Sequence, residues 1–171
     1  MREALTALLP GDAPRTGRTL VVRLSTQPVL ALQQLLQLDG AVMEQLGYQR
    51  LVVLSPFAAD VVRTLLVCGD MRLPVQIVNA RLPVWRLCRV VLAQGTLLQE
   101  GHDHRLPRMP GRVFTPSERD VLLRTLQEIP VHLQARRRQV SAKTLYTQRN
   151  AALQKLRVSG LSALVRRCVP V

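Results

Sequence analysis

Cysteine and aromatic residues are scarce in this chain, and each shortage excludes a class of protein. Among 171 residues there are three cysteines, one tryptophan, two tyrosines and two phenylalanines. Cys68, Cys88 and Cys168 are odd in number and far apart, which excludes a disulfide framework and a metal cluster and fits a reducing cytosol. We expect each to be a small buried apolar residue. Five aromatic side chains are too few for a protein that binds single-stranded nucleic acid by stacking on its bases.

Long apolar runs and catalytic patterns are also missing. No stretch of about 18 apolar residues could cross a membrane, and residues 1–18 lack the apolar core and cleavage site of a secretory signal. The chain has no Ser/His/Asp or Cys/His set, no glycine-rich phosphate loop and no paired metal ligands. We therefore expect a cytoplasmic protein that is not an enzyme and that uses no metal, cofactor or small-molecule substrate.

Acidic residues are few, and they are unevenly distributed along the chain. The chain has 24 Lys and Arg against 11 Asp and Glu. Residues 1–111 carry 12 basic and 8 acidic side chains, whereas residues 112–171 carry 12 basic and 3 acidic ones. A basic region of this kind favours a polyanion as its partner, because each neutralised phosphate releases a counterion. Charge alone is equally compatible with a basic surface that merely keeps the protein in solution.

Residues 1–98 are expected to form an α/β domain with an incomplete parallel sheet. Short apolar runs predict strands at residues 20–24, 51–54 and 75–78. Apolar residues at helical spacing predict helices at residues 28–38, 58–67 and 83–93, with a short helix or turn at residues 40–47. Alternating strands and helices favour a parallel sheet covered by helices. In the helix at residues 83–93, one face collects Val84, Leu87, Cys88 and Val91.

The composition changes at residues 99–113. This segment is polar, rich in Pro and Gly and without periodicity, as in a linker between domains. His102, Asp103 and His104 could suggest a metal site, but no third ligand is in reach. A solvated linker is the favoured interpretation.

Residues 114–171 predict an all-helical domain of four helices. Thr115, Pro116 and Glu118 form a capping box with proline at the first helical position. The helix they open is expected to end at Pro130, and its apolar face holds Val121, Leu122, Thr125, Leu126 and Ile129. Ser141 should cap a helix at residues 142–156 with an apolar stripe of Leu145, Ala152, Leu153 and Leu156. Ser159 should cap a short final helix.

The opposite face of the helix at residues 142–156 is polar and basic. It carries Tyr146, Thr147, Asn150 and Gln154, flanked by Lys143, Arg149 and Lys155. Hydrogen-bonding side chains backed by cations suit a helix that lies in the major groove of DNA. Periodicity alone favours a solvated amphipathic helix.

Two segments resemble the LuxR/FixJ (NarL-like) DNA-binding domain. FTPSERDVL at residues 114–122 is similar to the family's LTPREREVL. VSAKTLYTQRN at residues 140–150, with LQKLRV at residues 153–158, is similar to its recognition helix ISPKTVKTHRSNILRKLGV. The resemblance covers residues 113–167 and implies a helix-turn-helix domain that binds double-stranded DNA.

The resemblance also implies roles for single residues. Positions that contact base edges are occupied by Tyr146, Thr147 and Asn150. Positions that hold the phosphate backbone are occupied by Lys143, Thr144 and Arg149, and Lys155 matches a lysine with a structural or a phosphate-binding role. The final helix, residues 159–167, matches an element used for dimerisation on DNA.

Residues 128–139 depart from the family pattern. The family's glycine is Glu128 here, and its apolar pair falls on Gln134 and Arg138. Leu133 and Ala135 would restore the packing if the register of this helix shifted. Arg136, Arg137 and Arg138 fit either phosphate contacts or a degraded scaffold helix.

Residues 20–24 and 50–95 resemble, in order and spacing, the second half of a response-regulator receiver. Arg23 lies near the position of the phosphoacceptor Asp, Asn79 replaces an expected lysine, and Ser55 matches the switch residue. The first strand and its acidic pair are expected to be missing, because the chain begins too late to supply them. No phosphoacceptor is therefore expected, since phosphorylation needs acidic residues that hold Mg²⁺.

These features predict a bacterial, nucleoid-associated transcription regulator that reads DNA without being phosphorylated. It would act as a homodimer or with a partner response regulator, in the manner of auxiliary regulators of the RcsA and BglJ kind. An alternative is a protein-interaction co-regulator that modulates a partner transcription factor without reading DNA, which the altered scaffold segment favours. A third interpretation is an incomplete gene product whose shortened receiver folds poorly.

Overall fold

Three strands form a parallel sheet in the first part of the chain. A computed structural model describes residues 18–92, 105–107, 109 and 111–169. The first part contains β1 (Arg18–Arg23), α1 (Pro28–Gln37), α2 (Gly40–Gln45), β2 (Tyr48–Ser55), α3 (Ala59–Cys68), β3 (Val75–Asn79) and α4 (Val84–Leu92). The strand order is β1-β2-β3, and both pairings are parallel. The predicted three-stranded parallel sheet is confirmed, and we call this part the α/β half.

The core of the α/β half lies between the sheet and two helices. The central strand β2 is apolar enough to bury three consecutive residues, Leu51, Val52 and Val53. Leu51 and Val53 join a core cluster with the leucines of α1 and α3, which are Leu32, Leu35, Leu36, Leu65 and Leu66. Helices α1 and α3 also pack against each other. The helical spacing predicted for both helices is thereby confirmed.

Helix α4 has an apolar face that the described part of the protein leaves uncovered. No residue of α4 is fully buried, and Val84 is 74% exposed. Leu87 and Val91 are half-buried. Cys88 is exposed, so the expectation that every cysteine is buried is wrong for this one and right for Cys68 and Cys168. Its position at helical spacing with apolar neighbours placed it on the apolar face, but nothing described covers that face.

Four helices form the second part, which we call the helical half. They are α5 (Pro116–Leu126), α6 (Val131–Arg138), α7 (Ala142–Lys155) and α8 (Leu161–Arg167). The capping box is present: Glu118 N donates to Thr115 Oγ1 at 3.2 Å, and Thr115 N donates to Glu118 Oε2 at 2.7 Å. Together these two bonds satisfy amide groups that would otherwise lack partners at the start of α5.

Two helix boundaries differ from the expectation. Helix α5 ends at Leu126, before Pro130, because Glu128 adopts a left-handed conformation with φ 59°. Pro130 instead precedes α6 as its N-cap. The N-cap of α8 is Gly160, which makes no side-chain cap bond, so the expected capping by Ser159 is wrong.

The two halves share one core. Phe114, Leu122, Leu126, Leu156 and Leu164 belong to the same cluster of buried residues as the leucines of α1 and α3. Two hydrogen bonds accompany this packing: Phe114 N donates to Cys68 O at 2.7 Å, and Gln33 Nε2 donates to Leu126 O at 2.8 Å. The position of the helical half is therefore set by direct packing as well as by the connecting chain.

Arg119 of α5 caps the end of α1. Its guanidinium donates to Leu36 O at 2.7 Å and also to Leu38 O. A third contact joins Arg119 Nη1 to Asp39 Oδ2 at 3.4 Å. These carbonyls lie at the C-terminal end of α1, where helix carbonyls lack intrahelical partners. Arg119 thus fixes α5 to α1.

The proposed linker lies mostly outside the described residues, as do His102, Asp103 and His104. Residues 105–107 have no regular secondary structure, and Leu106 packs against the shared core. Within the described ranges, no helix combines the length and the apolar character needed to cross a bilayer.

Candidate nucleic-acid interface

Helix α7 is held by its cap and by one apolar face. Ser141 Oγ accepts a hydrogen bond from Thr144 N at 3.1 Å, which begins the helix as predicted. The predicted apolar stripe is confirmed, since Leu145, Ala152, Leu153 and Leu156 are all buried. The stripe packs mainly against α5 and α6. The remaining face of α7 is left free to meet another molecule.

The three candidate base-reading residues lie together on that free face. Tyr146 is 45% exposed, and Thr147 and Asn150 are exposed beside it. Lys143 and Thr144, two of the candidate phosphate-binding residues, are exposed in the first turn of the helix. Residues three and four apart are neighbours on a helix surface, so these five side chains form one continuous patch. We call this patch the α7 face.

Arg149 is placed differently from a free phosphate ligand. Its guanidinium lies 4.9 Å from the centre of the Tyr146 ring, and the side chain is only partly exposed. A guanidinium over a tyrosine ring is attracted by the negative face of the ring. Arg149 therefore braces Tyr146 and adds positive charge beneath the α7 face.

Lys155 lies inside the helical half. Its ammonium donates to Glu118 Oε2 at 2.6 Å and to Val113 O at 2.8 Å, and only 20% of its side chain is exposed. Burial favours a raised pKa for Glu118, but the hydrogen bonds from Lys155 and Thr115 outweigh it and leave that pKa below its usual range. Of the two roles considered for this lysine, the geometry favours the structural one. The α7 face does not include it.

The run of three arginines in α6 divides between surface and interior. Arg136 and Arg137 are exposed in the last turn, just before the turn that leads into α7. Arg138 points inward, where its Nη1 lies 3.6 Å from Asp120 Oδ2. Two of the three are therefore available to an anionic partner. The charge around them is one-sided, because residues 129–171 contain nine Lys and Arg and no Asp or Glu.

The register of α6 is unshifted, contrary to one expectation. Gln134 is fully buried and Ala135 is buried beside it, whereas Leu133 is 40% exposed. Ala135 therefore contributes to the packing, in a cluster with Val121 and Leu145, but Leu133 does not. Gln134 keeps one hydrogen bond, from Nε2 to Ile129 O at 2.7 Å, and its Oε1 has no partner in the described part of the chain.

Three residues with left-handed backbone shape the helical half, and two of them are not expected from the sequence. Glu128, Gln139 and Arg157 have φ of 59°, 54° and 55° and lie at the ends of α5, α6 and α7. The family resemblance singles out position 128, because this chain has Glu128 where the family has glycine. Arg157 likewise stands where the quoted family motif LRKLGV has glycine. Gln139 carries no comparable signal, since it is not Gly, Asn or Asp.

The receiver-like positions meet at one edge of the sheet. Arg23, Ser55 and Asn79 lie at the ends of β1, β2 and β3, which are parallel. Ser55 is buried and bonds to Phe57, and Asn79 Oδ1 accepts from Arg81 N at 2.8 Å. None of these three strands ends in an acidic residue.

Comparison of the chain with protein-family models, with curated proteins and with solved structures gives no match.

Proposed function

We propose that this protein is a DNA-binding transcription regulator of the LuxR/FixJ type, acting in the bacterial cytoplasm at the nucleoid. The observation that carries the proposal is the α7 face: Tyr146, Thr147 and Asn150 exposed together, with Lys143 and Thr144 in the same patch. In this proposal α5 and α6 are the scaffold and α7 is the helix that enters the major groove of double-stranded DNA. Phosphorylation plays no part in it.

The side chains of the α7 face suit separate tasks. An asparagine can make two hydrogen bonds to the major-groove edge of adenine, and a threonine can bond to a base or contact a thymine methyl. Asn150 and Thr147 would therefore read sequence, with Tyr146 held in place by Arg149. Lys143 and Thr144 lie in the first turn of α7, where amide groups and the helix dipole also favour phosphate. Arg136 and Arg137 would hold the backbone from α6.

A single helix of this kind covers few base pairs, so the proposal includes two subunits. Two recognition helices about 34 Å apart, one turn of DNA, would read a two-part site. The second subunit is another copy of the chain or a partner response regulator. Binding should weaken steeply as salt rises, because each phosphate contact releases a counterion.

The test begins with selection of bound duplexes from a random pool, followed by fluorescence anisotropy on the selected site. Asn150→Ala should flatten the preference at one base position, at a cost of about 1–3 kcal/mol on the selected site and little on random DNA. Lys143→Ala should weaken both duplexes alike and lower the salt slope by about one. Arg63→Ala removes the same charge from an exposed site on α3 and should change neither. The proposal would be overturned if the selection enriched no sequence and the affinity for DNA did not depend on salt.

The alternative function is a co-regulator that binds a partner transcription factor without reading DNA. Gln134 of α6 favours it, because its buried Oε1 has no hydrogen-bond partner among the described residues and a scaffold helix with an unsatisfied polar group is less firmly held. A stable complex with a response regulator that depends on the α/β half, together with unchanged complex formation in Asn150→Ala and no DNA binding by this protein alone, would select this function.

A further inference from the structure

The hydroxyl group of Thr147 is turned back onto its own helix. Thr147 Oγ1 donates a hydrogen bond to Lys143 O, four residues earlier, at 3.1 Å. Threonine makes this bond readily inside a helix, because its short side chain branches at Cβ. The hydroxyl proton is therefore in use, and the methyl group is the branch of this exposed side chain that remains for another molecule.

Asn150, one turn further along α7, has an uncommitted side chain. It is exposed, and in the described part of the chain no hydrogen bond holds its amide group. A free amide presents a donor and an acceptor side by side, which match N7 and the N6 amino group of adenine in the major groove. Thr147 and Asn150 are three residues apart, so their side chains are neighbours on the helix surface.

Arg149, next to Asn150 in the sequence, is engaged within α7. Its guanidinium lies 4.9 Å from the centre of the Tyr146 ring, and its Nε is buried with no hydrogen-bond partner among the described residues. An arginine reads guanine through two parallel N–H bonds to O6 and N7. Arg149 does not present its guanidinium to a groove in this way. This part of the α7 face is therefore not built to read guanine.

We infer that the α7 face reads A·T base pairs, with the Thr147 methyl group against the C5 methyl of a thymine and the Asn150 amide on an adenine. Among the four bases, only thymine carries an apolar group on its major-groove edge. Three residues of helix advance about 4.5 Å, and successive base pairs are about 3.4 Å apart, so the two contacts fall on neighbouring base pairs. The inference rests on the proposed function, because it names the bases that the proposed recognition helix contacts.

The thymine contact is tested by fluorescence anisotropy on the duplex obtained by selection, with each thymine replaced in turn by deoxyuridine. This replacement removes only the methyl group, and at one position it should weaken binding about fourfold, as expected for one buried methyl. Unchanged affinity at every thymine would overturn the inference. 5-Methylcytosine carries the same methyl group, so a 5-methylcytosine·guanine pair at that position should bind better than cytosine·guanine. Tighter binding than with the thymine·adenine pair would overturn the assignment to thymine.

Two variants separate the methyl group of Thr147 from its hydroxyl. Thr147→Val keeps a methyl and should retain the preference for thymine over uracil. Thr147→Ser keeps the hydroxyl and its bond to Lys143 O but loses the methyl, and should reduce the preference to under about twofold. Thr64→Ser is the matched control, because Thr64 Oγ1 makes the same bond to Asp60 O, at 2.8 Å, on α3 and outside the α7 face. It should leave the preference unchanged.

The adenine contact is tested with 7-deazaadenine, in which a C–H group replaces the N7 acceptor. At one adenine, within two base pairs of the contacted thymine, this change should weaken binding by the unaltered protein about fivefold. The affinity of Asn150→Ala should not respond to the same change, since that variant has no amide to lose the bond. An equal loss in both proteins would overturn the adenine assignment.

The outcomes distinguish this inference from the proposed function. A selected site without A·T pairs at its enriched positions, or an equal response of Thr147→Val and Thr147→Ser to uracil, would overturn the inference and leave sequence-specific DNA binding standing. If the selection enriched no sequence, the proposed function and the inference would fail together.

Discussion

Helix α5 meets α7 and α6 through charged residues in both contacts, but the two contacts differ in how well their polar groups are paired. At the α7 contact, the Lys155 ammonium bonds to Glu118 and to Val113 O, and Glu118 also accepts from Thr115. Each polar group of this pair has a partner, whereas Gln148 Oε1 and Arg149 Nε elsewhere in α7 are buried and have no hydrogen-bond partner among the described residues. The cost of removing these charges from water is offset by short, charge-assisted hydrogen bonds.

The contact between α5 and α6 also contains polar side chains that are turned inward, but they have fewer hydrogen-bond partners. Within the part of the chain that the structure describes, Gln134 Oε1 and Arg138 Nη1 are buried without a hydrogen bond, and Arg138 approaches Asp120 only to 3.6 Å. Asp120 already accepts from Arg124 at 2.8 Å. Helix α7 is therefore anchored to α5 by a satisfied pair, whereas α6 is held with part of its hydrogen-bonding capacity unused.

The largest expected effect on stability is at the contact between α5 and α7. Lys155→Met leaves the Glu118 carboxylate buried without its cation, and we expect the free energy of unfolding to fall by about 2–3 kcal/mol. Urea denaturation followed by circular dichroism measures it. Arg124→Met is the matched control, because it breaks an ion pair whose side chains are about one third exposed. It should cost under about 1 kcal/mol.

The double change Glu118→Gln with Lys155→Met tests whether the stranded carboxylate causes this loss of stability. Replacing the stranded carboxylate by a neutral amide should recover part of the lost stability, because the uncompensated charge is gone. If Lys155→Met alone were no worse than Arg124→Met, the α5–α7 contact would not be the anchor described above.

The structure could be predicted from the sequence where the local residue pattern agrees with the burial of the side chains. The capping box at Thr115 and the apolar stripe of α7 were predictable, because short motifs and helical spacing determine them locally. The three strands were predictable from their β-branched runs, bounded by turns. In α7 the apolar stripe is also the buried face, whereas no residue of β1 is buried and its Val21 is 41% exposed.

Other features could not be predicted, because the burial of the residues there disagrees with their type. In α6 the polar Gln134 is buried and the apolar Leu133 is exposed, so a rule that places apolar residues inside selects the wrong side. In α4 the apolar residues are at helical spacing, but Val84 and Cys88 face solvent. Lys155 and Glu118 are 37 residues apart, and no local pattern joins them.

The second largest expected effect on stability is at the contact between α5 and α6, and it is a gain rather than a loss. Gln134→Leu removes the unpartnered Oε1 from the interior, loses the bond from Nε2 to Ile129 O, and places an apolar side chain where nothing is exposed to solvent. We expect a gain in stability of about 1 kcal/mol, since an unsatisfied buried acceptor costs more than one ordinary hydrogen bond contributes. Thermal unfolding measures the change.

The control for this variant is Gln127→Leu, at an exposed position after α5, where the change should stay within about 0.5 kcal/mol. Destabilisation by Gln134→Leu would mean that Oε1 is paired in solution, and the contrast between the α6 and α7 contacts would then disappear.

The smallest effect concerns the turn that leads into α6. Glu128 is exposed and left-handed, with φ 59°, a conformation that costs an L residue energy and glycine little. Glu128→Gly should therefore stabilise the chain by about 0.5–1 kcal/mol, after the greater freedom of glycine in the unfolded state is counted. Gln127→Gly, one residue earlier at φ −83°, should destabilise it by a similar amount, because glycine relieves no strain there. Paired urea titrations should thus give changes of opposite sign at adjacent positions. Equal signs would show that Glu128 bears no strain, and that the weakness of α6 lies only in its buried polar groups.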